Sequence, residues 1–393
     1  MDLLVWRRIL RRVNICGKVR GVRDCIIRSV GWYAPEESIS NTELVEVFNT
    51  WAESFNTENA DAIARGDVAA KPLSSEEFIV SASGIENRHV IDKPGLMDLE
   101  RMRPRLPHRP KEDLSVQAEF ALKSARQALE KANRTAADID GVIVASSAQQ
   151  RNFPAVSTEI QAALGMEKGW SFDMTMACAS AVYAMQLARD MIRAGTADAI
   201  LICCPEIMSA INHYRRREVH FIFGDASGAV LLERGDREPG GWEILGTRLE
   251  NSFSNALRSD FGFLNHTEFE DGDNFEPFVD QDGHRVFRDV IPMASGVGST
   301  LIADLGLKPS DVRRAWLHQA NIRIVQMVAK RVLEREPDAD AAPIILNKYG
   351  NTSSSSVLMT FDMHSADMKA GERGLLCAFG AGYGCGAAVI QKR

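Results

Sequence analysis

This chain of 393 residues contains no apolar run of roughly 18 residues, the length that a membrane-spanning helix needs. It has seven cysteines, an odd number, and no Cys-x-x-Cys pair, which argues against both a disulfide framework and a zinc ribbon. Its eight histidines show no metal-ligand spacing. We therefore expect a protein without a metal site that resides in the reducing cytoplasm.

A surplus of basic charge is also missing. The net charge is −7, whereas a general nucleic-acid binder usually carries a basic surplus. Only residues 1–23 depart from this balance, with seven arginines and lysines against one acid, Asp2. Such a segment could contact an anionic membrane or serve as a targeting peptide. An unstructured lead is the simpler interpretation, because chain termini are commonly untethered.

From Asp24 onward, short apolar segments alternate with helical ones, a pattern typical of α/β proteins whose parallel sheets are covered by helices. Because residues 24–240 and 241–393 show a similar order of elements, we predict two related α/β halves. The predicted strands are 25–30, ending at Gly31, and 139–146, 169–174, 199–203, 315–317, 344–346, 374–379 and 387–391. The predicted helices are one that opens at Ser40, and 115–133, 157–164, 179–194, 296–305, 322–334 and 354–363.

Residues 48–113 interrupt this pattern. They are polar, contain five prolines and include a basic cluster at 101–109. We interpret them as an inserted elaboration, part helix and part loop, since insertions of this length often form lids or binding loops. The basic cluster could dock an acidic partner, although a solvated loop explains it more simply.

The segment 173–181, Asp-Met-Thr-Met-Ala-Cys-Ala-Ser-Ala, places Cys178 where a predicted strand ends and a helix begins. A helix N-terminus carries partial positive charge and free N–H groups, which favour a thiolate and thereby a nucleophile. Ala177 and Ala179 leave room for a substrate. The alternative is that Cys178 is a small buried apolar residue.

His318 and Asn351 also follow predicted strands, at 315–317 and 344–346. Reactive groups of α/β proteins collect at the carboxyl ends of strands, so the shared placement indicates one site with Cys178. Taken singly, a histidine is more often a capping or core residue, and asparagine is common in turns. The Gly-rich turn at 379–384 could offer backbone N–H groups to an oxyanion, although such turns are common.

In order and spacing, these segments resemble the β-ketoacyl-acyl-carrier-protein synthase III group of the thiolase superfamily, from about Asp24 to the C-terminus. The resemblance implies the thiolase fold, with duplicated α/β halves that form a layered αβαβα core and with the elaboration inserted. It also implies a homodimer, and no cofactor beyond the coenzyme A and phosphopantetheine arms of the substrates. Further segments that carry the likeness are Asp138-Ile-Asp-Gly-Val-Ile-Val-Ala-Ser146, Phe223-Gly-Asp-Ala-Ser-Gly-Ala229, Asp282-Gly-His-Arg-Val-Phe287, His318-Gln-Ala-Asn-Ile-Arg-Ile324 and Gly350-Asn-Thr-Ser353.

The same resemblance implies a decarboxylative Claisen condensation in fatty acid biosynthesis. An acyl-CoA primer would acylate Cys178. His318 and Asn351 would hydrogen-bond the thioester carbonyl of malonyl-acyl-carrier protein and stabilise the enolate formed as carbon dioxide leaves. This enolate would attack the acyl group to give a 3-oxoacyl product. Backbone N–H groups of Cys178 and of the turn at Ala381 and Gly382 would form the oxyanion hole.

Substrate-binding positions also carry over from the resemblance. Phe78 stands where short-chain enzymes have a tryptophan against the adenine of coenzyme A, and Ala82 replaces an arginine, so adenine recognition must differ. The other implied residues are Asn321 for the pantetheine arm, Gly283 and Phe287 for the tunnel wall, Phe153 for the partner's acyl pocket, and Arg323 for the acidic carrier protein.

The elaboration resembles the branch that primes with medium-chain acyl-CoA, such as octanoyl-CoA. Head-to-head condensation of two acyl-CoA molecules is a rival, but it commonly uses an added glutamate base that the sequence does not place. Acyl transfer without condensation is a second rival. A catalytically inactive partner of another condensing subunit is a third, although such partners usually lose the nucleophile, and Cys178 is present.

Overall fold

The computed structural model describes residues 23–259, 262, 264 and 278–393, so residues 1–22 of the predicted lead lie outside the described residues. Arg23, the last residue of that lead, forms an ion pair with Asp198 and so belongs to the folded body. Among the described residues, no helix combines the length and the apolar character needed to cross a membrane.

Strands and helices alternate along most of the described chain. The strands are β1 (Cys25–Tyr33), β2 (Ser38–Ser40), β3 (Asn87–His89), β4 (Gly141–Ala145), β5 (Trp170–Met174), β6 (Ala199–Glu206), β7 (Ala226–Arg234), β8 (Trp242–Ser254), β9 (Leu257–Ser259), β10 (Val279–Gln281), β11 (Val312–Leu317), β12 (Arg373–Gly380) and β13 (Gly382–Lys392). The helices are α1 (Asn41–Glu58), α2 (Ala60–Arg65), α3 (Glu76–Ser83), α4 (Lys93–Met97), α5 (Val116–Lys131), α6 (Val156–Ala163), α7 (Ser180–Ala194), α8 (Gly283–Asp304), α9 (Ile322–Leu333), α10 (Leu346–Tyr349) and α11 (Ser355–Met363).

Two sheets carry the fold, and the four strands of the second repeat the order of four of the five strands of the first. The first has the order β5-β4-β6-β7-β1 and the second β11-β12-β13-β8, and two residue pairs between β1 and β8 join them into nine strands. In the first, β4 and β6 are parallel and β7 is antiparallel to both neighbours. In the second, β11 and β12 are parallel and β13 is antiparallel to both neighbours. The repeated order confirms the prediction of duplicated α/β halves.

Three apolar cores separate the layers. Between the two sheets, α7 and α11 pack in one core with residues from both sheets, among them Trp242 and Trp316. Helices α5 and α6 cover the outer face of the first sheet, and α8 and α9 cover the outer face of the second. The layers therefore run α-β-α-β-α as expected, and the burial of their apolar faces is the main stabilising contribution.

Two predicted strands differ in the structure. β1 continues through Gly31, because the missing side chain lets α5 approach: an added Cβ would stand 2.2 Å from the carbonyl oxygen of Ser124. The strand predicted at 344–346 is wrong, and these residues lead into the short helix α10. The carboxamide oxygen of Gln319 accepts two backbone N–H groups of this segment, which removes them from any sheet ladder.

Helix α8 begins earlier than predicted. It starts at Gly283 rather than at Gly296, and the carboxylate of Asp282 caps it by accepting a backbone N–H of the first turn. Pro292 lies inside the helix, where a proline ordinarily disrupts helical structure, so the pattern favoured a later start. Gly283 and Phe287, both predicted for the tunnel wall, therefore lie in the first turns of α8.

The elaboration is part helix and part loop, as predicted. Helix α1 begins with a capping box in which Ser40 and Glu43 exchange hydrogen bonds. Helices α1 and α3 pack against residues 208–223 in a separate apolar core, with Phe78 at its margin. The side chain of Arg88 is 0% exposed and donates hydrogen bonds within this unit. The elaboration is thus a folded unit that holds Phe78 in place.

Candidate active site

A cavity of about 710 Å³ lies where the two halves of the fold meet. Cys178, His318 and Asn351 all line it, and they come from the turn after β5, the end of β11 and the loop after α10. The structure thus brings the three predicted reactive residues to one place. The other predicted residues that line the cavity are Phe78, Gly283, Phe287, Asn321 and Arg323.

The turn that carries Cys178 joins β5 to α7. Ala177 has a φ of 45°, in the left-handed region that a residue with a Cβ rarely adopts. The hydroxyl of Ser180 holds the turn by donating to the carbonyl of Ala177 at 2.6 Å and accepting the N–H of Met176 at 2.7 Å. Cys178 is 7% exposed. The turn therefore presents the thiol at the start of a helix, as predicted.

The protonation state of Cys178 contradicts the prediction of a thiolate. Burial raises the pKa of the thiol to about 11. Hydrogen bonds from Ser353 and Ser147 lower the pKa, and the carboxyl of Glu206 raises it. Desolvation is the largest of these effects, and it makes Cys178 a neutral thiol at neutral pH. If the sulfur is to attack a substrate as predicted, this proton has to leave, so the groups around the sulfur matter for that chemistry.

His318 is a neutral, buried imidazole. It is 1% exposed, and burial lowers its pKa to about 3. Nδ1 lies 2.8 Å from the hydroxyl of Ser356, and the ring contacts Phe379 with 5.3 Å between the centroids. A neutral imidazole held through Nδ1 has Nε2 left for a ligand, as a donor or as an acceptor.

Asn351 joins the two halves of the molecule. Its backbone forms an isolated bridge with Phe223, in which the N–H of Asn351 donates to Ile222 at 2.9 Å and its carbonyl accepts from Gly224 at 3.2 Å. Its side-chain oxygen accepts the N–H of Ser353 at 2.9 Å. Because that oxygen is engaged, the Nδ2 donor of the same amide remains for the cavity.

The Gly-rich turn between β12 and β13 reaches Cys178 from the second half of the chain. An added Cβ on Gly380 would stand 2.7 Å from the backbone nitrogen of Cys178. No side chain fits there, so the backbone of the turn lies directly against Cys178. Gly380 and Tyr383 line the cavity, and Ala381 and Gly382 lie between them in the chain. The oxyanion-hole role of Ala381 and Gly382 stays a prediction.

Phe153 and Asn321, both predicted to bind substrate, differ in their relation to the cavity. Phe153 is 83% exposed and is not among the residues that line the cavity of its own chain. Asn321 lines the cavity, but its side chain also caps α9 by accepting the N–H of Arg323. It donates in addition to the carbonyl of Ala82. Asn321 therefore has a structural role in addition to any contact with a ligand.

Phe78 has a cationic neighbour that sequence reasoning missed. The guanidinium of Arg217 lies over the ring of Phe78, 3.7 Å from its centroid. Arg217 is one of three consecutive arginines, 215–217, and nothing in that run distinguishes it from a solvated charge cluster. Only the packing of the elaboration against 208–223 brings the two residues together.

A buried polar cluster next to Cys178 was also missed. Ser353 to Ser356 are each 0% exposed, whereas the sequence allowed them to be ordinary turn or cap residues. The carboxyl of Glu206, at the end of β6, accepts hydrogen bonds from the backbone N–H and the hydroxyl of Ser354 in this cluster. Burial raises the pKa of Glu206 to about 7. A run of four serines at the start of a helix is the one sequence signal that could have pointed to it.

Two family models match the chain. The model described as 3-Oxoacyl-[acyl-carrier-protein (ACP)] synthase III matches residues 172–252, and the model of the C-terminal part of the same family matches residues 302–392. The first range contains Cys178, and the second contains His318 and Asn351. The matched ranges therefore include all three residues that meet at the cavity.

Similarity to whole proteins covers most of the chain. This chain is 42% identical over 350 residues to the beta-ketodecanoyl-[acyl-carrier-protein] synthase of Pseudomonas aeruginosa. The matched residues cover 88% of this chain and 100% of that protein. The chain is also 30% identical over 375 residues to the beta-ketoacyl-[acyl-carrier-protein] synthase III of Dinoroseobacter shibae. That match covers 94% of this chain and 99% of the relative. The crystal structure of 3-oxoacyl-[acyl-carrier-protein] synthase III from Aquifex aeolicus has the same fold, with a TM-score of 0.73 at 23% identity and with 93% and 99% covered.

Proposed function

Because this chain belongs to the 3-oxoacyl-[acyl-carrier-protein] synthase III family and is a condensing, acyl-transferring enzyme, we propose that it joins a medium-chain acyl-CoA to malonyl-acyl-carrier protein. The products are a 3-oxoacyl-acyl-carrier protein, coenzyme A and carbon dioxide. The observation that carries the proposal is the convergence of Cys178, His318 and Asn351 on one cavity. The reaction needs no cofactor beyond the thiol arms of the substrates. The six described cysteines are free thiols, which suits the reducing cytoplasm.

In the first half-reaction, the sulfur of Cys178 attacks the thioester carbonyl of the primer. A new S–C bond forms, the bond to the sulfur of coenzyme A breaks, and the acyl group stays on Cys178. Backbone N–H groups of Cys178 and of the turn at Ala381 and Gly382 stabilise the oxyanion. The close approach of Gly380 to the backbone nitrogen of Cys178 supports this assignment, because it brings the two backbone segments together at Cys178.

In the second half-reaction, His318 and Asn351 hydrogen-bond the thioester oxygen of malonyl-acyl-carrier protein. Carbon dioxide leaves, the electrons of the broken C–C bond form an enolate, and the enolate carbon attacks the acyl carbonyl. Cys178 is released as a thiolate. Both His318 and Asn351 are buried and neutral, and donors held in a dry site stabilise a developing enolate better than mobile water does.

The medium-chain assignment rests on the elaboration and on one relative. The elaboration packs against residues 208–223 and supplies Phe78 to the cavity. The relative at 42% identity is named a beta-ketodecanoyl synthase. A decanoyl chain arises when an octanoyl primer gains two carbons from malonate. We therefore assign an octanoyl-like primer to this chain.

The carrier protein would bind at the mouth of the cavity. Arg323, in the first turn of α9, is exposed and lines the cavity, so it can meet an acidic surface. Asn321, Gly283 and Phe287 line the same cavity and would contact the pantetheine arm and the tunnel contents. The arm would thus enter between α8 and α9.

We also propose a homodimer. β5 lies at one end of the nine-stranded order, and its Phe172 is 36% exposed. Phe153 is 83% exposed, and an edge strand with exposed aromatic side chains nearby suits an interface between two copies. Phe153 would then enter the acyl pocket of the partner. Light scattering of the purified protein should give twice the mass of one chain, and a monomer would contradict the proposal.

The function is tested by a condensation assay. Purified protein receives malonyl-acyl-carrier protein and acyl-CoA primers from acetyl to palmitoyl, with Cys178→Ala as the control. We expect a maximum near octanoyl, release of carbon dioxide, and no product from Cys178→Ala. Retained condensation by that variant would overturn the mechanism.

Other outcomes separate the rival reactions. A maximum at acetyl would contradict the medium-chain assignment and leave a conventional initiating enzyme. Acylation of Cys178 without release of carbon dioxide would favour head-to-head condensation of two acyl-CoA molecules or plain acyl transfer. No acylation at all would favour an inactive partner subunit.

A further inference from the structure

A buried carboxyl lies next to the nucleophile, at the end of β6. Glu206 is 1% exposed, and its hydrogen-bond partners are neutral serine groups rather than cations. The backbone N–H and the hydroxyl of Ser147 donate to Oε1 at 3.0 and 3.2 Å. The hydroxyl of Ser354 also donates to Oε1, and the hydroxyl of Ser146 donates to Oε2. This is a closely surrounded carboxyl, and the two half-reactions above do not use it.

Ser147 connects this carboxyl to the nucleophile. The hydroxyls of Ser147 and Ser353 are hydrogen-bonded to each other, and both lie close enough to the thiol of Cys178 to lower its pKa. A row of polar groups therefore leads from Sγ of Cys178 to Oγ of Ser147, which donates to Oε1 of Glu206 at 3.2 Å. A proton can move along such a chain without any water.

The two ends of the chain differ in acidity. Burial raises the pKa of the Cys178 thiol to about 11 and that of the Glu206 carboxyl to about 7. The charge of Glu206 raises the pKa of two thiols, those of Cys178 and Cys204. The serines that bond Glu206, which follow β4 and precede α11, are neutral. The carboxyl is therefore the group of this cluster that changes its protonation near neutral pH.

We propose that Glu206 holds the proton of Cys178 between the two half-reactions, with Ser147 as the relay. During acylation, the thiol proton passes to Oγ of Ser147 while the hydroxyl proton of Ser147 passes to Glu206. The thiolate forms the bond to the acyl carbon, and coenzyme A leaves as a thiolate that takes a proton from water. During condensation, Cys178 leaves as a thiolate and takes its proton back along the same chain.

This scheme rests on the proposed function, because it concerns the same nucleophile. Glu206 is a positioning residue in it, since it acts through Ser147 and touches no substrate atom. The outward transfer is uphill, because the thiol holds its proton more tightly than the carboxyl does. The proton transfer is completed only as the S–C bond forms, so Cys178 remains a neutral thiol while no substrate is bound.

The test compares two reactions of Cys178 across pH. One is single-turnover acylation by octanoyl-CoA, followed by mass spectrometry, and the other is alkylation by iodoacetamide. Wild-type acylation should slow as the pH falls through about 7, because only the carboxylate form of Glu206 accepts a proton. Glu206→Gln should slow acylation about 100-fold and remove this pH dependence. Glu206→Asp should restore part of the acylation rate and part of its pH dependence.

Alkylation distinguishes proton transfer from a structural or electrostatic role. Removing the negative charge of Glu206 lowers the pKa of the thiol, so alkylation of Glu206→Gln should be as fast as in wild type or faster. We therefore expect slow acylation together with undiminished alkylation. Undiminished acylation would overturn the proposal, and so would a parallel loss of both reactions, which would indicate a displaced Cys178. If wild type itself is not acylated on Cys178, the proposed function fails instead.

Two serine variants complete the test. Ser147→Ala breaks the chain and leaves the carboxyl in place, so it keeps the proposal testable if Glu206→Gln does not fold. It should lose acylation to a similar extent, and the double variant should lose no more. The matched control is Ser355→Ala, whose hydroxyl bonds the carbonyls of Cys204 and Ala226 rather than Glu206 or Cys178. The Ser355→Ala variant should keep the wild-type dependence of the acylation rate on pH. If Ser147→Ala also kept that dependence, the relay would be contradicted.

Discussion

The hydroxyl oxygen of Ser356 lies 2.8 Å from Nδ1 of His318 and 2.7 Å from the carbonyl oxygen of Ser353. It has one hydrogen to share between them. When that hydrogen goes to Nδ1, the imidazole carries its own proton on Nε2, which can donate into the cavity. When it goes to Ser353, Nδ1 carries the proton and Nε2 can only accept. The direction in which the hydroxyl of Ser356 donates its hydrogen therefore determines the tautomer of His318.

Replacing Ser356 by alanine should impair decarboxylation and spare acylation. Without the hydroxyl, Nδ1 has no donor, the Nε2–H tautomer loses its support, and the enolate loses one hydrogen bond. We expect release of carbon dioxide from malonyl-acyl-carrier protein to slow about 10-fold, the equivalent of about 1.4 kcal/mol. Single-turnover acylation of Cys178 should stay near wild type. Ser356→Thr retains a hydroxyl and should recover most of the rate, whereas an equal loss in both variants would point to disturbed packing.

Decarboxylation should be independent of pH around 6.5. The pKa of His318 is lowered by burial from 6.5 to about 3, so the ring stays neutral as the pH falls through the range in which an exposed histidine gains its proton. The measurement is carbon dioxide release by enzyme whose Cys178 is already acylated, from about pH 5.5 to about pH 8. A rate that drops with a midpoint near 6.5 would show that His318 is more exposed than its environment indicates.

Gly380→Ala should block acylation. An added Cβ at Gly380 would stand 2.7 Å from the nitrogen and 3.0 Å from the Cβ of Cys178, so the nucleophile or the turn has to shift. A displacement of this kind costs about 100-fold in rate even when the fold survives. The measurement is single-turnover acylation by acyl-CoA.

The matched control for Gly380 is Gly296→Ala. A Cβ at Gly296, on α8, meets nothing within 4 Å outside its own helix. Alanine is favoured over glycine in a helix interior by about 0.5–1 kcal/mol. The control should therefore keep full acylation and melt at a slightly higher temperature. Equal rates for the two variants would show that the turn does not restrict Cys178.

Arg323→Glu should weaken use of malonyl-acyl-carrier protein. The acidic carrier would meet a like charge at the rim of the cavity, and we expect KM for this substrate to rise about 10-fold. Acylation by acyl-CoA should change little. The effect should shrink at high salt, because exposed charges are screened.

Arg331→Glu is the matched control for Arg323. Both arginines are exposed residues of α9 and give the same change in net charge, but Arg331 does not line the cavity. Its KM for the carrier should stay near that of wild type. If both variants weaken the carrier equally, the interaction depends on overall charge rather than on Arg323.

The main layers of the fold were predictable because buried strands and amphipathic helices leave strong patterns. β4 and β6 are apolar at nearly every position, and α7 shows a clear apolar face. The strand predicted at 344–346 failed for a tertiary reason. Three apolar residues in a row favour a strand, but Gln319, distant in sequence, accepts the backbone donors that a strand would use.

The sequence by itself determined which residues meet at the site. Cys178, His318 and Asn351 each stand in a recognisable segment. Cys178 and His318 follow strands as predicted, whereas Asn351 reaches the site from the loop after α10. Only the tertiary structure decided how these groups are protonated. The pKa of a side chain depends on the water and the charges around it, and those neighbours come from several layers of the fold. Ser147, Glu206 and Ser353 lie far apart in the chain and meet only when the two halves pack together. For that reason the thiolate expected at Cys178 is instead a buried neutral thiol, with a carboxyl and two hydroxyls in place to receive its proton.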